Sequence, residues 1–520
     1  MAKADDVSGG VAVDAQASVR WASHQSLRKP FGDVDSIIVF LCLSTPCLLF
    51  YFFIGRPVLG LCLTALVLLG FQLYRAGAST GVASVQARSG AVSIACALAA
   101  FALTTIGGEG RVFPATNDWL IRDAVLHDVV RLPWPFVYHF DGKDWLLRAP
   151  LAMYLAPAAI GKLIGLKAAI FALWAQNTAA IFAVLRILCA SMSVARSLTV
   201  LAAFCIFSGW DVIGALITHH GLAPPVDIEW WDFLFQYSST MTLAFWVPNH
   251  ALAGWFVAAL ILLWDKGQIR IGALAMGAAL SAFWSPFALI GAAPFLAKAG
   301  IEALARRRIA WGDVGMPLLL GLALAPLALF LVSDSGAVPH GFQPMSRIFI
   351  LFYALFISLE LLPFLAANWI PKVGNGGFSR STYFVAVASL MLMPFYSLGP
   401  GNDFVMRASI PALAVVAVTT GHSAYAALKE QKVWKVALVG LALTLGGLTG
   451  LVEIWRIVTG PNLGTSQCDL VQAWDQDPRA SKSMAHYLAD ADHVGPLLRR
   501  ADAHLHPTGP TIARCSDQRL

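Results

Sequence analysis

Long apolar runs separated by short polar connections fill most of this 520-residue chain. An apolar run of about 18 or more residues is typical of a helix that crosses a lipid bilayer. The runs predict about thirteen spans, so the expected fold is an all-α polytopic membrane protein. Two neighbouring runs are too short for straight crossings and flank Ser285-Pro286, which predicts a tight helix pair that meets at the far face. The predicted spans are 35–54, 57–74, 90–106, 168–190, 197–217, 243–264, 271–284, 286–300, 314–333, 347–370, 382–398, 407–427 and 436–458.

The basic residues predict the orientation of these spans. They fall in alternate connections, on the side of the polar N-terminal segment 1–34, and the positive-inside rule makes that side cytoplasmic. The first apolar run is too long for a cleavable signal. The membrane domain is then 35–458, and the outer side receives the loop 107–167 and the tail 459–520, with a partly helical pattern at about 479–503. The basic residues are Arg75, Arg88, Arg196, Lys266, Arg270, Arg306, Arg307, Arg308, Lys372, Arg380, Lys429, Lys432 and Lys435.

The run 149–166 is also apolar enough to span the membrane. A full crossing here inverts every later connection and breaks the charge pattern. Pro150, Pro157 and Lys162 suit a helix at the interface better than a lipid-exposed span. We therefore expect a re-entrant or interfacial helix on the outer face.

Composition agrees with a bilayer as the solvent for much of the chain. Hydrophobic residues make up 58% and charged residues 13%, with a mean hydropathy of +0.68, whereas about 25% of an average soluble domain is charged. The net charge of +6 does not indicate a nucleic-acid partner, because the basic residues are scattered between apolar runs. We expect a multi-pass membrane protein, with membrane lipids as neighbours. Phosphate-loop, dinucleotide, GxSxG and HExxH motifs are absent, which disfavours ATP-driven pumps and soluble-cofactor enzymes.

The eight cysteines divide into two groups. Six lie inside apolar runs and are expected to be small buried hydrophobic residues. Cys468 and Cys515 both lie in the polar tail, and an extracytoplasmic tail makes them a disulfide pair.

The first cluster of candidate chemistry lies in the loop 107–150. Asn117, Asp118 and Trp119 open a short helical pattern in which Asp123 is a further polar position. Asp118 at a helix start is ordinary capping. The same residue is also placed to act as a carboxylate at the membrane surface, and the two interpretations are compatible.

A second cluster follows in the segment 218–250. Glu229, Trp230, Trp231 and Tyr237 are typical of a sugar-binding surface, since indole faces stack on sugar rings and carboxylates accept hydrogen bonds from hydroxyls. An aromatic belt at the membrane interface explains them equally well. His250, beside Pro248 and Asn249 in an apolar run, is either a hydrogen-bonding residue of the core or part of a site.

The third cluster places Asp403 and Arg407 four residues apart at the outer mouth of a span. At helical spacing they share a face and can simply pair. Arginine is also the residue that binds a lipid phosphate through a fixed, always-charged fork. Arg148 and Lys143 are further candidates for the same anion, as are His219 and His220.

Taken together, these segments resemble the GT-C superfamily of integral-membrane glycosyltransferases, whose relatives include the protein O-mannosyltransferases and the aminoarabinose transferase of lipid A. A long outer loop follows an early span and carries an acidic residue in a short helix. Arg148-Ala149-Pro150-Leu151 with Tyr154 is similar to the family's Lys/His-Pro-Pro-Leu segment, with one proline instead of two. The chain departs from the family in an extra hairpin, 35–74. Segments similar to an uncharacterised bacterial subgroup are Asn117-Asp118-Trp119, Glu229-Trp230-Trp231, Gln236-Tyr237-Ser238-Ser239, Phe245-Trp246-Val247-Pro248-Asn249-His250 and Asn402-Asp403-Phe404-Val405-Met406-Arg407.

The resemblance implies a reaction. A polyprenyl-phosphate sugar is the donor, and a glycan, lipid or protein is the acceptor. Asp118 is the general base, or it binds a divalent metal such as Mg²⁺ or Mn²⁺, and transfer inverts the anomeric carbon. Arg407 or Arg148 stabilises the lipid phosphate that leaves.

Two other classes stay open. A transporter or flippase of a lipid-linked substrate carries charges at mid-membrane, and Asp211 and Glu360 lie within apolar runs. A membrane scaffold without catalytic activity is the third class, which the clustered Trp, Asp and Arg of the outer loops disfavour.

Overall fold

Helices dominate the computed structural model, which describes residues 34–63, 66, 90–190, 193–219, 227–369, 377–399, 402–460, 468–476, 484, 487–495, 503–505 and 515. The N-terminal segment 1–33 and much of the predicted span 57–74 lie outside these residues, apart from a helix at 57–63. The helices are α1 (Val34–Phe53), α2 (Gly90–Ile106), α3 (Asp118–Arg131), α4 (Ala152–Ile164), α5 (Leu166–Leu188), α6 (Val194–Cys205), α7 (Asp211–His219), α8 (Thr240–Trp246), α9 (Pro248–Asp265), α10 (Ile271–Ser281), α11 (Pro286–Ala305), α12 (Trp311–Ala323), α13 (Ala325–Val332), α14 (Arg347–Glu360), α15 (Leu362–Ala367), α16 (Arg380–Leu392), α17 (Asp403–Ala408), α18 (Ile410–Glu430), α19 (Val433–Thr459) and α20 (Leu470–Gln476).

Five of the described helices are long and apolar enough to cross a membrane, namely α1, α5, α11, α18 and α19. The pair α12 and α13, bent by 53°, makes a sixth if it forms one span. The prediction of a helical protein with membrane-spanning helices is confirmed, whereas the number thirteen stays a prediction.

Several predicted spans are broken helices rather than continuous ones. The run 243–264 divides into α8 and α9, and 347–370 divides into α14 and α15. Proline stands in the first turn of α9, α11, α15 and α18, where a helix can start but not continue, because proline has no N–H to donate. The run 382–398 ends as an extended strand at Tyr396–Leu398.

The strands form two small sheets. β1 (Phe136–Phe140) and β2 (Lys143–Leu147) are a hairpin of the long loop, and β5 (Leu488–Asp490) and β6 (Ala503–Leu505) come from the tail. The order is β5-β2-β1-β6, with β6 parallel to β1 and the other neighbours antiparallel. β3 (His340–Phe342) and β4 (Tyr396–Leu398) pair in the second sheet. The described part of 479–503 is therefore strand and 3₁₀ turn rather than helix, because the tail completes a sheet. The end of the membrane domain that carries the four-stranded sheet is called the sheet end below.

The run 149–166 contains the short helix α4, and its interfacial position stays a prediction. Tyr154, near its start, lies within hydrogen-bonding range of Arg122 in α3. At its other end, the Lys162 ammonium donates to the Val130 carbonyl of the same helix at 3.2 Å. A helix of about 13 residues is only about 20 Å long, and both of its ends contact one loop helix. α4 therefore lies along α3 at the sheet end.

Close helix packing near α17 gives a first prediction. A Cβ at Gly291 would lie 2.1 Å from the Ala408 carbonyl oxygen, whereas one at Gly300, in the same helix, meets nothing within 4 Å. We expect Gly291→Ala to destabilise the protein by about 1–3 kcal/mol, because backbone must move to relieve the clash. Gly300→Ala should be neutral or stabilise by up to about 1 kcal/mol. Thermal unfolding in detergent measures both, and equal melting temperatures would contradict this packing.

Candidate functional site

The first turn of α3 presents Asp118 and Arg122 on one face. Asn117 is the exposed N-cap residue and makes no side-chain capping hydrogen bond. The Asp118 carboxylate is 3.9 Å from the Arg122 guanidinium and is 32% exposed, while Arg122 is buried. A partly exposed carboxylate beside a buried arginine is suited to bind a polar substrate.

Arg122 is fixed by the break between α8 and α9. Its guanidinium donates to the Trp246 carbonyl at 3.1 Å and to the Asn249 side-chain oxygen at 2.9 Å. The break exposes the carbonyl because Pro248 follows it and restarts the helix. Burial opposes the charge of Arg122, but Tyr154, Tyr487 and Asp118 favour it, so that the pKa of Arg122 is raised. Arg122 is therefore a permanent cation held against one wall of the site.

A second charged pair lies on α17. Arg407 binds Asp403 at 2.9 Å, as the four-residue spacing predicts, and its guanidinium is 5.8 Å from the Phe287 ring centre in α11. Asn402, with a left-handed φ of 52°, donates to the Leu234 carbonyl at 2.9 Å and so fixes the start of α17. The guanidinium of Arg407 is 23% exposed.

The two charged pairs converge on Tyr487 of the tail. Its hydroxyl lies within electrostatic reach of Arg122 and Asp118 from α3 and of Arg407 and Asp403 from α17. Asp118 and the Asp403–Arg407 pair, which the sequence places on separate loops, thus act on one tyrosine of the tail.

His250 lies in the same region, in the first turn of α9. Its Nδ1 is 2.7 Å from the Ser285 hydroxyl, and the charged groups that act on its ring are Arg407 and Arg122. His250 is buried, with 6% of its surface exposed, and packs edge-on to Phe287 at 6.3 Å. It is a core histidine that supports the site from within.

The long helices α9, α11 and α18 begin near one another. α9 and α11 meet where the Asn249 amide donates to the Trp284 carbonyl at 3.4 Å. The start of α18 packs on α9, because a Cβ at Gly254 would lie 2.4 Å from Ile410. The N-terminal end of a helix carries a partial positive charge and favours anions. Together with Arg122 and Arg407, these ends make the region suited to bind a phosphate.

Arg148 and Lys143 contact residues outside the two charged pairs. The Arg148 guanidinium donates to the Leu331 carbonyl at 3.4 Å and interacts with Asp334; burial lowers the pKa of Arg148, which Asp334 partly offsets. Lys143 lies at the other end of β2, about 16 Å along the strand, and its ammonium binds Asp490 at 2.9 Å. Both side chains thus have partners within the protein, and their binding of the anion of Arg407 stays a prediction.

Trp119 and Asp123 are held inside the loop rather than presented to a substrate. The Trp119 indole donates to the Phe245 carbonyl at 3.1 Å, and Asp123 forms a buried ion pair with Arg111. Arg111 also stacks 5.1 Å from the Trp119 ring. Both residues fix α3 on the membrane domain, which corrects their assignment to substrate binding.

The interpretation of the second cluster as a sugar-binding surface is also corrected. Trp231 and Glu229 are fully buried and Tyr237 is 2% exposed. Glu229 accepts hydrogen bonds from Gln236, the Ser239 amide and Thr242, and burial raises the pKa of Glu229 well above its usual range. Rings without exposed faces cannot stack on a sugar. Trp230 alone of the four is half-buried.

Buried carboxylates surround this loop. The Trp231 indole donates to Glu360 at 3.2 Å, and Asp211 accepts from Ser208 at 2.7 Å and from Thr449 at 2.9 Å. Asp211 and Glu360 are hydrogen-bonded to each other, which requires a shared proton between two acceptors. Asp211 is the first residue of α7 and Glu360 the last of α14, so both belong to the helical part of the structure.

The residues around Asp118 do not fit a divalent metal. In the described part of the chain, no three His, Cys, Asp or Glu side chains are grouped to hold one. Asp118 lies 3.9 Å from the Arg122 guanidinium, and Asp403 is paired with Arg407. Mg²⁺ and Mn²⁺ prefer several oxygen ligands, and Asp118 with the paired Asp403 does not supply such a set.

Arg122, Tyr154 and Tyr487 were not named as site residues from the sequence. Arg122 could have been found, because it lies four residues after Asp118 on the same helix face. Tyr487 gave no signal, because the tail reaches the site only through pairing of β5 with β2.

Glu109, beside the site, gives a prediction for pH dependence. Burial raises its pKa to about 8, opposed by the Asn177 hydrogen bond and by Arg111 and Arg122. An acid whose pKa is higher in the folded state stabilises the fold below its ordinary pKa of 4.5, and this stability is lost as the pH rises towards 8. Glu109→Gln keeps an acceptor for Asn177 but cannot ionise. We expect the melting temperature of the natural protein to fall from pH 5 to pH 8 more steeply than that of the variant; parallel curves would contradict it.

Comparison with known proteins identifies no relative of this chain. No protein-family model matches the chain, and neither does a curated protein or a solved structure. The fold thus defines a helical membrane protein with a charged site at the sheet end.

Proposed function

We propose that the chain is an inverting membrane glycosyltransferase of the GT-C type, which transfers a sugar from a polyprenyl-phosphate donor to an extracytoplasmic glycan, lipid or protein. In this proposal the sheet end faces the outside of a bacterial inner membrane and the N-terminus lies in the cytoplasm. The observation that supports it is that Arg122 contacts Asn249 and Arg407 contacts Phe287, so that both charged pairs lie at the neighbouring starts of α9 and α11.

Each part of the site has a role in such a transfer. An acceptor hydroxyl attacks the anomeric carbon, and the bond from that carbon to the phosphate oxygen breaks. The proton of the hydroxyl passes to the Asp118 carboxylate, which is exposed enough to be reached. The electron pair of the broken bond stays on the phosphate, whose charge is stabilised by Arg407, Arg122 and the starts of α9 and α11.

Binding of undecaprenyl phosphate tests the donor site without knowledge of the sugar. In a glycosyltransferase of this type the lipid phosphate is the leaving group for every donor sugar. A ligand present at about 100 times its Kd stabilises a protein by about 2.7 kcal/mol, so the melting temperature should rise with undecaprenyl phosphate and not with undecaprenol. Equal shifts with both lipids would contradict a phosphate site.

A transporter or flippase is the second candidate, which the buried Asp211 and Glu360 favour. Both are buried by 97% or more, and they are hydrogen-bonded to each other. Intramembrane carboxylates of this kind occur on ion and substrate pathways. Movement of a fluorescent polyprenyl-phosphate lipid across proteoliposomes, lost in a Glu360→Gln variant, would favour transport over transfer.

A further inference from the structure

The C-terminal tail forms one wall of the charged site. Its β5 strand pairs with β2, and the Leu470 amide that starts α20 donates to Asp128 of α3 at 2.9 Å. Between these two contacts the chain reaches Tyr487, whose carbonyl accepts from the Arg148 amide at 2.6 Å. The tail is thus fixed on the loop that carries Asp118.

The side chain of Tyr487 is held towards the charges. Its ring packs edge-on to Trp474 of α20 at 5.7 Å. Arg122 and Asp118 of α3 act electrostatically on its hydroxyl, and so do Arg407 and Asp403 of α17. Burial raises the pKa of Tyr487, so the hydroxyl keeps its proton and remains a hydrogen-bond donor at neutral pH.

A disulfide closes the tail around this residue. Cys468, two residues before α20, is bonded to Cys515, and both are fully buried. The bond closes a loop of chain with a sequence separation of 47, and Tyr487 lies inside it. The Cys515 amide donates to Gln476 at the end of α20 at 2.7 Å, so the bond anchors both α20 and the end of the tail.

We propose that Tyr487 is a donor-binding residue, which donates its hydroxyl hydrogen bond to the lipid phosphate between Arg122 and Arg407, and that the Cys468–Cys515 disulfide makes the site competent by holding it there. The inference rests on the proposed function. It assigns the tail a role in donor binding. It also makes activity depend on an oxidising compartment, where such a disulfide persists.

The test measures the Kd of the full-length protein in nanodiscs for undecaprenyl phosphate and for undecaprenol. Tyr487→Phe should weaken phosphate binding about tenfold, leave undecaprenol binding unchanged and keep the melting temperature, because only one hydroxyl is lost. Tyr353→Phe, whose hydroxyl donates to the Met391 carbonyl on α16, is the matched control and should bind as the natural protein does. Unchanged phosphate binding in Tyr487→Phe overturns the inference.

The disulfide is tested in the same assay. Paired Cys468→Ser and Cys515→Ser changes, and the natural protein treated with a reductant, should each lose phosphate affinity about tenfold. Cys62→Ser, at an exposed free cysteine, should not. Full affinity after reduction overturns the role of the disulfide. A natural protein that binds neither lipid overturns the proposed function itself, whereas binding that ignores Tyr487 and the disulfide overturns this inference alone.

Discussion

Asp118→Asn is expected to lower the rate of sugar transfer by about 10²–10⁴-fold, the usual contribution of a general base. The amide keeps the size of the carboxylate but cannot accept the proton of the acceptor hydroxyl. Its ion pair with Arg122 is long, at 3.9 Å, and Asp118 is 32% exposed, so the fold should lose little stability. Transfer is measured as polyprenyl phosphate released per minute at saturating donor.

The matched control is Asp144→Asn. Asp144 lies in β2, is 36% exposed and pairs with His139 at 2.7 Å, away from the charged site. The control should transfer sugar at the natural rate, and both variants should melt within about a degree of the natural protein. Full turnover in Asp118→Asn would remove Asp118 from the mechanism.

Arg407→Ala should raise the KM for the lipid-linked donor about 10²-fold with a smaller effect on stability. The guanidinium is the part of α17 that reaches the site, and hydrogen bonds to charged groups contribute about 1.5–3 kcal/mol each. Its loss also leaves Asp403, 14% exposed, without a cation, and this carboxylate repels a phosphate. Arg407→Lys should recover only part of the affinity, because a point charge replaces the fork.

Arg270→Ala is the control for Arg407. It breaks an arginine–aspartate pair with Asp313 at the start of α10, at the opposite end of the α10–α11 pair from Ser285. Donor affinity should be unchanged in the Arg270→Ala variant. An equal loss of affinity in both variants would show that stability, and not the Arg407 fork, governs donor binding.

The sequence predicts those features that depend on local pattern. Apolar runs fix the helical membrane class, and the spacing of Asp403 and Arg407 predicts their ion pair. The structure also joins Cys468 to Cys515, the two cysteines that the sequence pairs in the tail. Each of these depends on residue types at short spacing or in one segment.

Features that depend on distant partners could not be predicted. Whether Trp231 belongs to an aromatic belt or to a buried core depends on Glu360, which accepts its indole hydrogen bond from 129 residues away. The breaks at Pro248 and Pro286 are visible in the sequence, but their meeting at one level depends on the packing of α9 against α11. Tyr487 enters the site through a strand pairing that no periodicity indicates.

Release of polyprenyl phosphate tests the central claim most directly. Purified protein in proteoliposomes is incubated with a set of polyprenyl-phosphate sugars and a membrane extract that supplies acceptors. We expect release from at least one donor, with inversion at the anomeric carbon and with loss of release in Asp118→Asn. No release from any donor, together with movement of the intact lipid across the bilayer, would contradict the glycosyltransferase and identify the chain as a transporter.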